Sequence, residues 1–368
     1  MNNYKPMWGK PFYDKLFKRD CIIMACNTRI AWGVVEGILR AAKDTQSPII
    51  FELAKSESDL KGGYTGLTPD KYAKFVNEAA TRIQYPYYII HGDHIKIGKM
   101  DDMPGVKELI TAQIEAGYTS FAIDASFMYD PAGVNDREHL AMNIEATTEV
   151  THFIEDKLGH KNFGLEVEVG EIGKEDPKTG LVKTTVNEAS TFLEALKENG
   201  IYPQFLAIAN GSVHGFQYDQ HGNPLPQVGI DIELTKRIGA ALKPMGVKIA
   251  QHGITGTPLD IIASDFPKDY LGKGNVGTNW MTIAWDVLKI FEPELYSKIH
   301  NWTIKNYHKV NVPANETFLK YSKQAIIEHF NEIYSIKEET THALVYTSFA
   351  SALFFLKAFN SFGQTRNL

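Results

Sequence analysis

The sequence predicts an α/β protein, a closed (β/α)8 TIM barrel with a helical C-terminal extension. Eight short apolar runs alternate with longer helical patterns, which implies parallel strands joined by right-handed crossovers. The runs are nearly continuous in apolar residues, as strands covered on both faces are. A count of eight favours a closed barrel over an open sheet, and the sequence has neither the GxGxxG nor the GxxxxGK[ST] fingerprint of open nucleotide-binding sheets.

Each predicted strand is a run rich in β-branched or aromatic residues. In order, the runs read CIIMAC, PIIFEL, YYIIHG, TSFAID, FGLEVEVG, QFLAIA, VKIAQH and a weak eighth, GNVG. They occupy residues 21–26, 48–53, 87–92, 119–124, 163–170, 204–209, 247–252 and 274–277.

Each strand is followed by a stretch with helical periodicity. These stretches are 30–43, 69–83, 104–116, 136–158, 187–199, 231–242, a shorter helix after Pro258 and a helix from Trp280. The remainder is helical in pattern and lies beyond the eighth unit. We therefore expect a barrel domain over residues 1–291 and a helical extension over 292–368, packed on the barrel or at a subunit interface.

Composition and charge exclude several classes of protein. With 38 basic and 44 acidic residues the net charge is −6, so no basic field exists to hold a nucleic acid. Cys21 and Cys26 can build neither a disulfide scaffold nor a four-thiolate zinc site, and a reducing cytoplasm is the expected location. The longest uncharged stretch, 343–356, is shorter than the ~20 residues of a membrane helix.

Polar side chains close the predicted strands at the rim where (β/α)8 enzymes carry their chemistry. The third strand ends in HGDH with Asp93 and His94, and the fourth in IDAS with Asp124. The fifth alternates as LEVEVG, so Glu166 and Glu168 share a face. The last three end in NGSVHG, QHGITG and NVGTN, which contribute His214, His252, Asn275 and Thr278.

Three of these histidines, His94, His214 and His252, converge from different strand ends. Three imidazoles with an open fourth position are the ligand set of a catalytic zinc site. A single histidine after a strand is more often a capping or packing residue, and we interpret His91 as such a structural neighbour. Three histidines at corresponding strand ends, beside several carboxylates, predict a metal site.

Glycine directly follows two of the histidines, at Gly215 and Gly253. Glycine lets a backbone approach a ligand closely, and the last loops of a barrel are a common phosphate seat built from backbone N–H groups. HGITG alone is a weak signal, since such a glycine is often only part of a turn. Its place after the seventh strand favours a phosphate site.

The segment 170–182, after the fifth strand, is long, charged and glycine-bearing. One interpretation is a solvated surface loop. The other is a mobile lid that carries an acid, Glu175 or its neighbour, over a bound substrate.

The motifs together resemble those of the class II, zinc-dependent fructose-bisphosphate aldolases and their tagatose-bisphosphate relatives. HGDH is similar to the family's HxDH, GYTSFAIDAS to GFTSxMIDxS, and LEVEVGEIGKED to VExELG…ED. ANGSVHG, QHGITG and NVGTN resemble GxxHG, HGGSG and N-[VI]-x-T-D. The motifs follow the family's order over about residues 21–280.

The resemblance implies a metal core. His94, His214 and His252 would bind the catalytic zinc, or another divalent ion in its place. Asp124 and Glu168 would occupy the second or alternative metal position. An aldol cleavage that uses no Schiff-base lysine needs another electron sink, and a zinc ion supplies it.

The resemblance also implies the proton carriers and the substrate contacts. Asp93 would protonate the aldehyde oxygen and remove that proton on cleavage, and Glu175 would exchange the proton at the nucleophilic carbon. A monovalent cation would lie near the phosphate. The implied phosphate-binding residues are Gly215, Gly253 and Thr255, and those near the ketose hydroxyls are Asn275 and Thr278.

Several substrate-facing positions depart from the family pattern. The phosphate loop has Ile254 and Thr255 in place of Gly-Ser, and the last motif closes with Asn279 in place of Asp. Near the second strand, Ala54 stands where the family often has a serine. Fructose 1,6-bisphosphate, cleaved to dihydroxyacetone phosphate and glyceraldehyde 3-phosphate, is the expected substrate, with tagatose 1,6-bisphosphate or a similar ketose as the alternative.

Two other functions stay open from the sequence. One is a barrel metallohydrolase, although such enzymes commonly carry HxH in the first strand and CIIMACN has none. The other is a non-catalytic barrel subunit that binds sugar phosphate. We also expect a homodimer or larger homo-oligomer, because the apolar residues of 343–359 cover more than one helical face.

Overall fold

The computed structural model describes residues 4–171, 173, 175–176, 180–213 and 215–368, with only the backbone at 175, 176 and 180. Eight parallel strands close into a barrel, which confirms the predicted fold class. In chain order they are β1 Ile23–Asn27, β2 Ile49–Ala54, β3 Tyr88–Lys96, β4 Ser120–Asp124, β5 Gly164–Val169, β6 Phe205–Ile208, β7 Lys248–Gln251 and β8 Leu271–Val276.

Sequential strands are neighbours around the barrel, and β8 pairs with β1 to close it. The register of Ile23 with Lys273 and of Ala25 with Asn275 sets β1 and β8 side by side. Most strand residues are buried, as expected when side chains fill the barrel on one face and helices cover the other. All eight carboxyl ends therefore open at one rim.

Helices follow each strand and form the outer layer. The helices are α1 Gly9–Leu16, α2 Val34–Thr45, α3 Pro69–Ile83, α4 Met103–Ala116, α5 Asp136–His139, α6 Ala141–Leu158, α7 Val186–Glu198, α8 Ile232–Leu242, α9 Leu259–Asp265, α10 Thr278–Phe291, α11 Pro293–Tyr307, α12 Ala314–Tyr321, α13 Ala325–Glu328, α14 Phe330–Ile333 and α15 Glu338–Ala358. Short 3-10 helices lie at Gly63–Thr65, Met100–Asp102, Ser126–Met128, Lys243–Met245 and Ser322–Gln324.

One predicted helix, over 136–158, is in fact two, α5 and α6, separated at Leu140. The side chain of Asn135 caps α5 by accepting a hydrogen bond from the Glu138 N–H at 3.0 Å. The Nδ1 atom of His139 lies 2.7 Å from the Asp130 carbonyl oxygen. These contacts tie α5 to the loop before it, which explains the interruption.

The last long helix, α15, packs into the outer layer of the barrel against α2, α9 and α10. Its approach to α2 is close: a Cβ atom on Gly37 would lie 2.3 Å from the Val345 carbonyl oxygen. After α15, the Ser361 hydroxyl donates a 2.6 Å hydrogen bond to the carbonyl oxygen of Ile22, just before β1. No helix in the described part of the chain has the length and apolar character needed to cross a membrane.

The segment between α10 and α15 reaches the loops at the open rim. The side chain of Asn315 donates a 2.8 Å hydrogen bond to the carbonyl oxygen of Gly222, in the turn of a small hairpin after β6. The ring of Phe330 lies so close to Gly66 that a Cβ atom there would come within 2.7 Å of it. The C-terminal extension is therefore in contact with the loops after β2 and β6.

Candidate active site

A cavity of about 720 Å³ opens at the rim where the carboxyl ends of the strands meet. Ten of the predicted site residues line it: Asp93, His94, Asp124, Glu168, Gly215, His252, Gly253, Thr255, Asn275 and Thr278. His214 lies outside the described residues. Glu175 lies in the short strand Glu175–Asp176, and its side chain is likewise outside them.

His94 lies at the centre of the acidic part of the cavity. Its Nδ1 atom is 2.8 Å from Oε1 of Glu168 and 3.7 Å from Oδ2 of Asp124. Its ring centroid is 4.4 Å from that of His252. Side chains from β3, the β7 loop, β4 and β5 therefore meet within one small volume.

The backbone of β3 is irregular where His94 occurs. The pairing of β3 with β4 shifts register between Gly92 and Ile95, as at a β-bulge. His94 has a φ of 41°, in the left-handed region that non-glycine residues rarely occupy. Such strain is characteristic of functional positions, where the surrounding structure holds it in place.

His252 is oriented by a carboxylate behind it. Its Nε2 atom is 3.0 Å from Oε1 of Glu166, and Oε2 of Glu166 is 2.6 Å from the Lys273 ammonium nitrogen. A histidine whose second ring nitrogen contacts a carboxylate is the usual arrangement of a metal-binding histidine. Glu166, which the motifs identified only as sharing a face with Glu168, thus supports the site from below.

The charges of these groups are strongly perturbed. Burial and the nearby Asp124 carboxylate raise the pKa of Glu168 to about 8. Burial disfavours ionisation of Asp93, but His94 and Lys273 hold its pKa below the ordinary value. Burial opposes the charge on Glu166 too, and Lys273 keeps its pKa well below the usual range.

The donor set fits a divalent cation. One donor atom each from Asp93, His94 and His252 lie within 4.8 Å of one another, as do donors of His94, Asp124 and Glu168. Histidine nitrogen and carboxylate oxygen are the ligands that zinc takes in catalytic sites. Asp124 and Glu168 are buried close together here, and the Asp124 charge contributes, after burial, to the raised pKa of Glu168.

The glycines after the two predicted metal-binding histidines adopt left-handed backbone conformations, with φ of 80° at Gly215 and 68° at Gly253. A Cβ atom on Gly253 would lie 2.6 Å from the Val213 carbonyl oxygen, so a side chain there is excluded. Thr255, two residues on, lies in the same cavity wall. At Gly253 this packing leaves only backbone facing the cavity, with the Thr255 side chain beside it.

Several residues of the site carried no signal in the sequence. The Lys273 ammonium group is buried between Glu52 and Glu166, at 2.8 and 2.6 Å, with Asp93 at 3.6 Å. The amide of Asn275 donates a 2.7 Å hydrogen bond to Glu52. The eighth strand was predicted to begin at 274, so Lys273 was missed. The reason is that LGKGNV, with its glycines and its lysine, contains no apolar run.

One part of the cavity wall carries basic side chains from the β1 and β2 loops, from β3 and from the extension. Lys323, in the 3-10 helix Ser322–Gln324, lies with its ammonium nitrogen 5.6 Å from the ring centroid of Tyr64. Lys96 lies 3.2 Å from the ring centroid of Phe127. Burial and the Arg29 charge lower the pKa of Lys323. This wall favours an anionic group.

The chain matches the family model described as class-II fructose-bisphosphate aldolase over residues 10–338. Among solved structures it is similar to the YdjI aldolase from Escherichia coli K12, with 18% identity over 98% of this chain and 100% of that chain, at a TM-score of 0.61. It is also similar to a fructose-bisphosphate aldolase from Campylobacter jejuni, with 18% identity over 98% and 97% of the two chains and a TM-score of 0.62.

A third similar structure is described as a probable tagatose 6 phosphate kinase from Sinorhizobium meliloti 1021, with 17% identity over 92% and 97% of the chains and a TM-score of 0.60. Identities this low support the fold alone. The family model spans most of the chain, including every motif from residue 21 to 280. The chain therefore belongs to the class-II fructose-bisphosphate aldolases, a family of metal-dependent carbon–carbon lyases.

Proposed function

We propose that this enzyme reversibly cleaves a phosphorylated ketose by a zinc-dependent aldol reaction, with fructose 1,6-bisphosphate as the leading substrate and tagatose 1,6-bisphosphate as the alternative. The observation that carries the proposal is the meeting of ten predicted site residues in one cavity. Acidic and imidazole donors, glycine-bearing loops and basic side chains all line it.

His94 and His252, together with His214, would hold the catalytic ion, and Asp124 and Glu168 would form the alternative position. With Nε2 of His252 engaged by Glu166, Nδ1 is the nitrogen of that ring suited to the ion. When bound, a divalent cation supplies the Lewis acid that polarises the ketose carbonyl. The role of the protein is to fix these ligands, while Lys273 helps to keep the adjacent Asp93 and Glu166 carboxylates ionised.

Asp93 is the proposed proton carrier of the carbon–carbon cleavage. It is buried and adjoins His94, so its carboxylate could accept the proton of the hydroxyl group that becomes the aldehyde. In the synthetic direction it returns the same proton. Glu175, in the hairpin after β5, is the proposed group for proton exchange at the nucleophilic carbon.

Lys273 does not fit the role of a Schiff-base lysine. A Schiff-base lysine must present a neutral amine to the substrate. Burial works against the charge on Lys273, but Glu166 and Glu52 raise its pKa well above the ordinary value. Its ammonium group is fully buried among carboxylates and is absent from the cavity lining. This lysine is therefore unsuited to attack a carbonyl.

The two ends of the cavity suit a substrate with two anionic groups. Backbone N–H groups near Gly215 and Gly253, with the Thr255 hydroxyl, would bind one phosphate, and a monovalent cation would lie beside it. Lys323, which also lines the cavity, would bind the other. Asn275 and Thr278 line the same cavity and would contact the ketose hydroxyls.

The test is a panel of phosphorylated ketoses, each incubated with and without a chelator, with triose phosphate detected by a coupled assay. The proposal expects cleavage of fructose or tagatose 1,6-bisphosphate that chelation abolishes and added zinc restores. Release of inorganic phosphate without triose phosphate would identify a metallohydrolase. Zinc binding without turnover of any ketose phosphate would identify a non-catalytic binding protein.

A further inference from the structure

Glu57, in the loop after β2, is a buried carboxylate that accepts hydrogen bonds on both oxygens. Its Oε1 atom accepts from Nε of Arg29 at 2.6 Å and from the Tyr64 hydroxyl at 2.9 Å. Its Oε2 atom accepts from the Ala54 N–H at 2.9 Å and from the Asn27 amide at 3.3 Å. All four partners are donors, so this site is built for an ionised carboxylate.

The amide nitrogen of Asn27 connects Glu57 to the proposed proton carrier. It donates to Oε2 of Glu57 and also to Oδ2 of Asp93, at 3.0 Å. Both acceptors are carboxylate oxygens, so the nitrogen, and not the oxygen, of this amide must face them. The charge on Glu57 therefore contributes to the orientation of the Asn27 side chain.

Asn27 is in turn the principal hydrogen-bonding contact of Asp93. Among the described residues, the Oδ1 atom of Asp93 has no hydrogen-bond partner. The nearest cation to Oδ1 is the Lys273 ammonium group at 3.6 Å, beyond a direct hydrogen bond. In the described part of the chain the Asp93 carboxylate is thus oriented by the hydrogen bond from Asn27 to Oδ2 and by the longer ion pair with Lys273.

We propose that Glu57 is a positioning residue for Asp93 and acts on it through Asn27. The inference rests on the proposed function, in which Asp93 moves the proton of the cleaved bond. Arg29 completes the arrangement: it pairs with Glu57 at 2.6 Å and lies against the β8 loop, 3.3 Å from where a Cβ atom on Gly277 would be. Hydrogen bonds through Glu57 and Asn27 thereby connect the carboxyl ends of β1, β2 and β3 next to Asp93.

The substitution Glu57→Gln changes the charge and the hydrogen bonding of this side chain while it keeps the side-chain volume nearly constant. A carboxamide has nearly the same shape but only one acceptor oxygen, which the charged Arg29 group takes. Its amino group then faces Asn27, whose amide must rotate to offer an oxygen. That oxygen would lie against Oδ2 of Asp93, where two acceptors repel, and the Asp93 carboxylate would turn away.

The kinetic experiment compares Glu57→Gln, Asn27→Ala and the double variant on fructose 1,6-bisphosphate. We expect kcat to fall about 10- to 100-fold in each single variant, as for other misplaced catalytic groups, while KM changes less than about threefold. Because the effect of Glu57 passes through Asn27, the double variant should be no slower than Asn27→Ala. Independent, multiplicative losses would overturn the proposal.

A matched control is Glu36→Gln, which removes a carboxylate paired with Arg40 and Arg82 on the outside of the barrel. Its kcat should stay within about twofold of the unsubstituted enzyme, since exposed pairs contribute little.

The structural readout does not depend on which ketose the enzyme uses. A crystal structure of Glu57→Gln should show the Asn27 amide rotated and the Asp93 carboxylate displaced or in two conformations. An unmoved Asp93 with the Asn27 nitrogen still between the two side chains would overturn the proposal, even if the substrate assignment holds. A displaced Asp93 in a protein that cleaves no ketose phosphate would support the positioning contact and contradict the proposed function.

Discussion

Lys273 holds its ammonium group between three carboxylates inside the barrel, which makes Lys273→Met a sharp test of the packing beneath the active site. The substitution removes a cation that lies 2.6 Å from Glu166, 2.8 Å from Glu52 and 3.6 Å from Asp93. Methionine fills nearly the same volume, so the change in charge dominates the change in shape. The three carboxylates remain buried without their common counter-ion.

The magnitude follows from the two short contacts. At an effective dielectric constant of about 20, an ion pair at such a separation has a Coulomb energy of about 6 kcal/mol. Removing a buried ammonium group also removes its desolvation cost, which offsets part of that loss. We therefore expect the free energy of unfolding to fall by about 3–5 kcal/mol, the usual result of breaking a buried pair from one side.

The assay is urea denaturation of metal-free protein at pH 7, with reversibility checked. Lys248→Met is the matched control, because Lys248 is also buried but donates to the carbonyl oxygens of Arg19 and Lys268, at 3.2 Å each, and forms no ion pair among the described residues. Its loss should be about 1–2 kcal/mol. Adding Glu52→Gln to Lys273→Met should restore part of the stability. Equal losses in the two lysine variants would refute the ionic account.

Four further predictions follow from the site and the surface. Asp93→Asn should retain zinc, measured by mass spectrometry, while turnover falls about 10²–10⁴-fold, and near-normal turnover would assign the proton transfer to another group. Burial and the Lys273 charge lower the pKa of His91 to about 4, below that of an unfolded histidine. The unfolded chain therefore binds the extra proton, and the free energy of unfolding should fall by about 1.4 kcal/mol per pH unit between about pH 6.5 and 4, less so in His91→Asn. Sedimentation should show a dimer or larger assembly. The double variant Tyr346→Lys, Phe354→Lys should dissociate it, because these two apolar side chains on α15 are 67% and 66% exposed in the single chain. A full-length monomer at micromolar concentration would contradict this. Segment 170–182 should lose protease sensitivity when saturating ketose phosphate is added, and unchanged cleavage would count against a lid.

The barrel was predictable because its signal is local. Apolar runs and helical periodicity are properties of short windows, and α3 matches its predicted bounds of 69–83. The predictions were wrong where tertiary contacts determine the bounds of an element. The break at Leu140 depends on the Asn135 cap and the His139 contact, and β8 begins at Leu271, where LGKG lacks an apolar run.

The same distinction separates the predicted from the missed site residues. Strand-end histidines and acids such as Asp93 and His94 could be read from their place after apolar runs. Glu57 and Lys323 could not, because their roles depend on contacts between segments far apart in sequence. Asn27, for example, meets Asp93 across 66 residues of chain, and no spacing rule joins them.

The central claim is that the histidine and carboxylate cluster binds a divalent ion on which carbon–carbon cleavage depends. The most direct measurement titrates zinc into metal-free enzyme and follows bound metal and triose-phosphate release from fructose 1,6-bisphosphate or tagatose 1,6-bisphosphate in the same samples. The account predicts turnover that rises in proportion to bound zinc up to one ion per chain, and neither tight binding nor turnover in His252→Ala. Cleavage by the metal-free enzyme, or a His252→Ala variant that binds zinc and turns over normally, would contradict it.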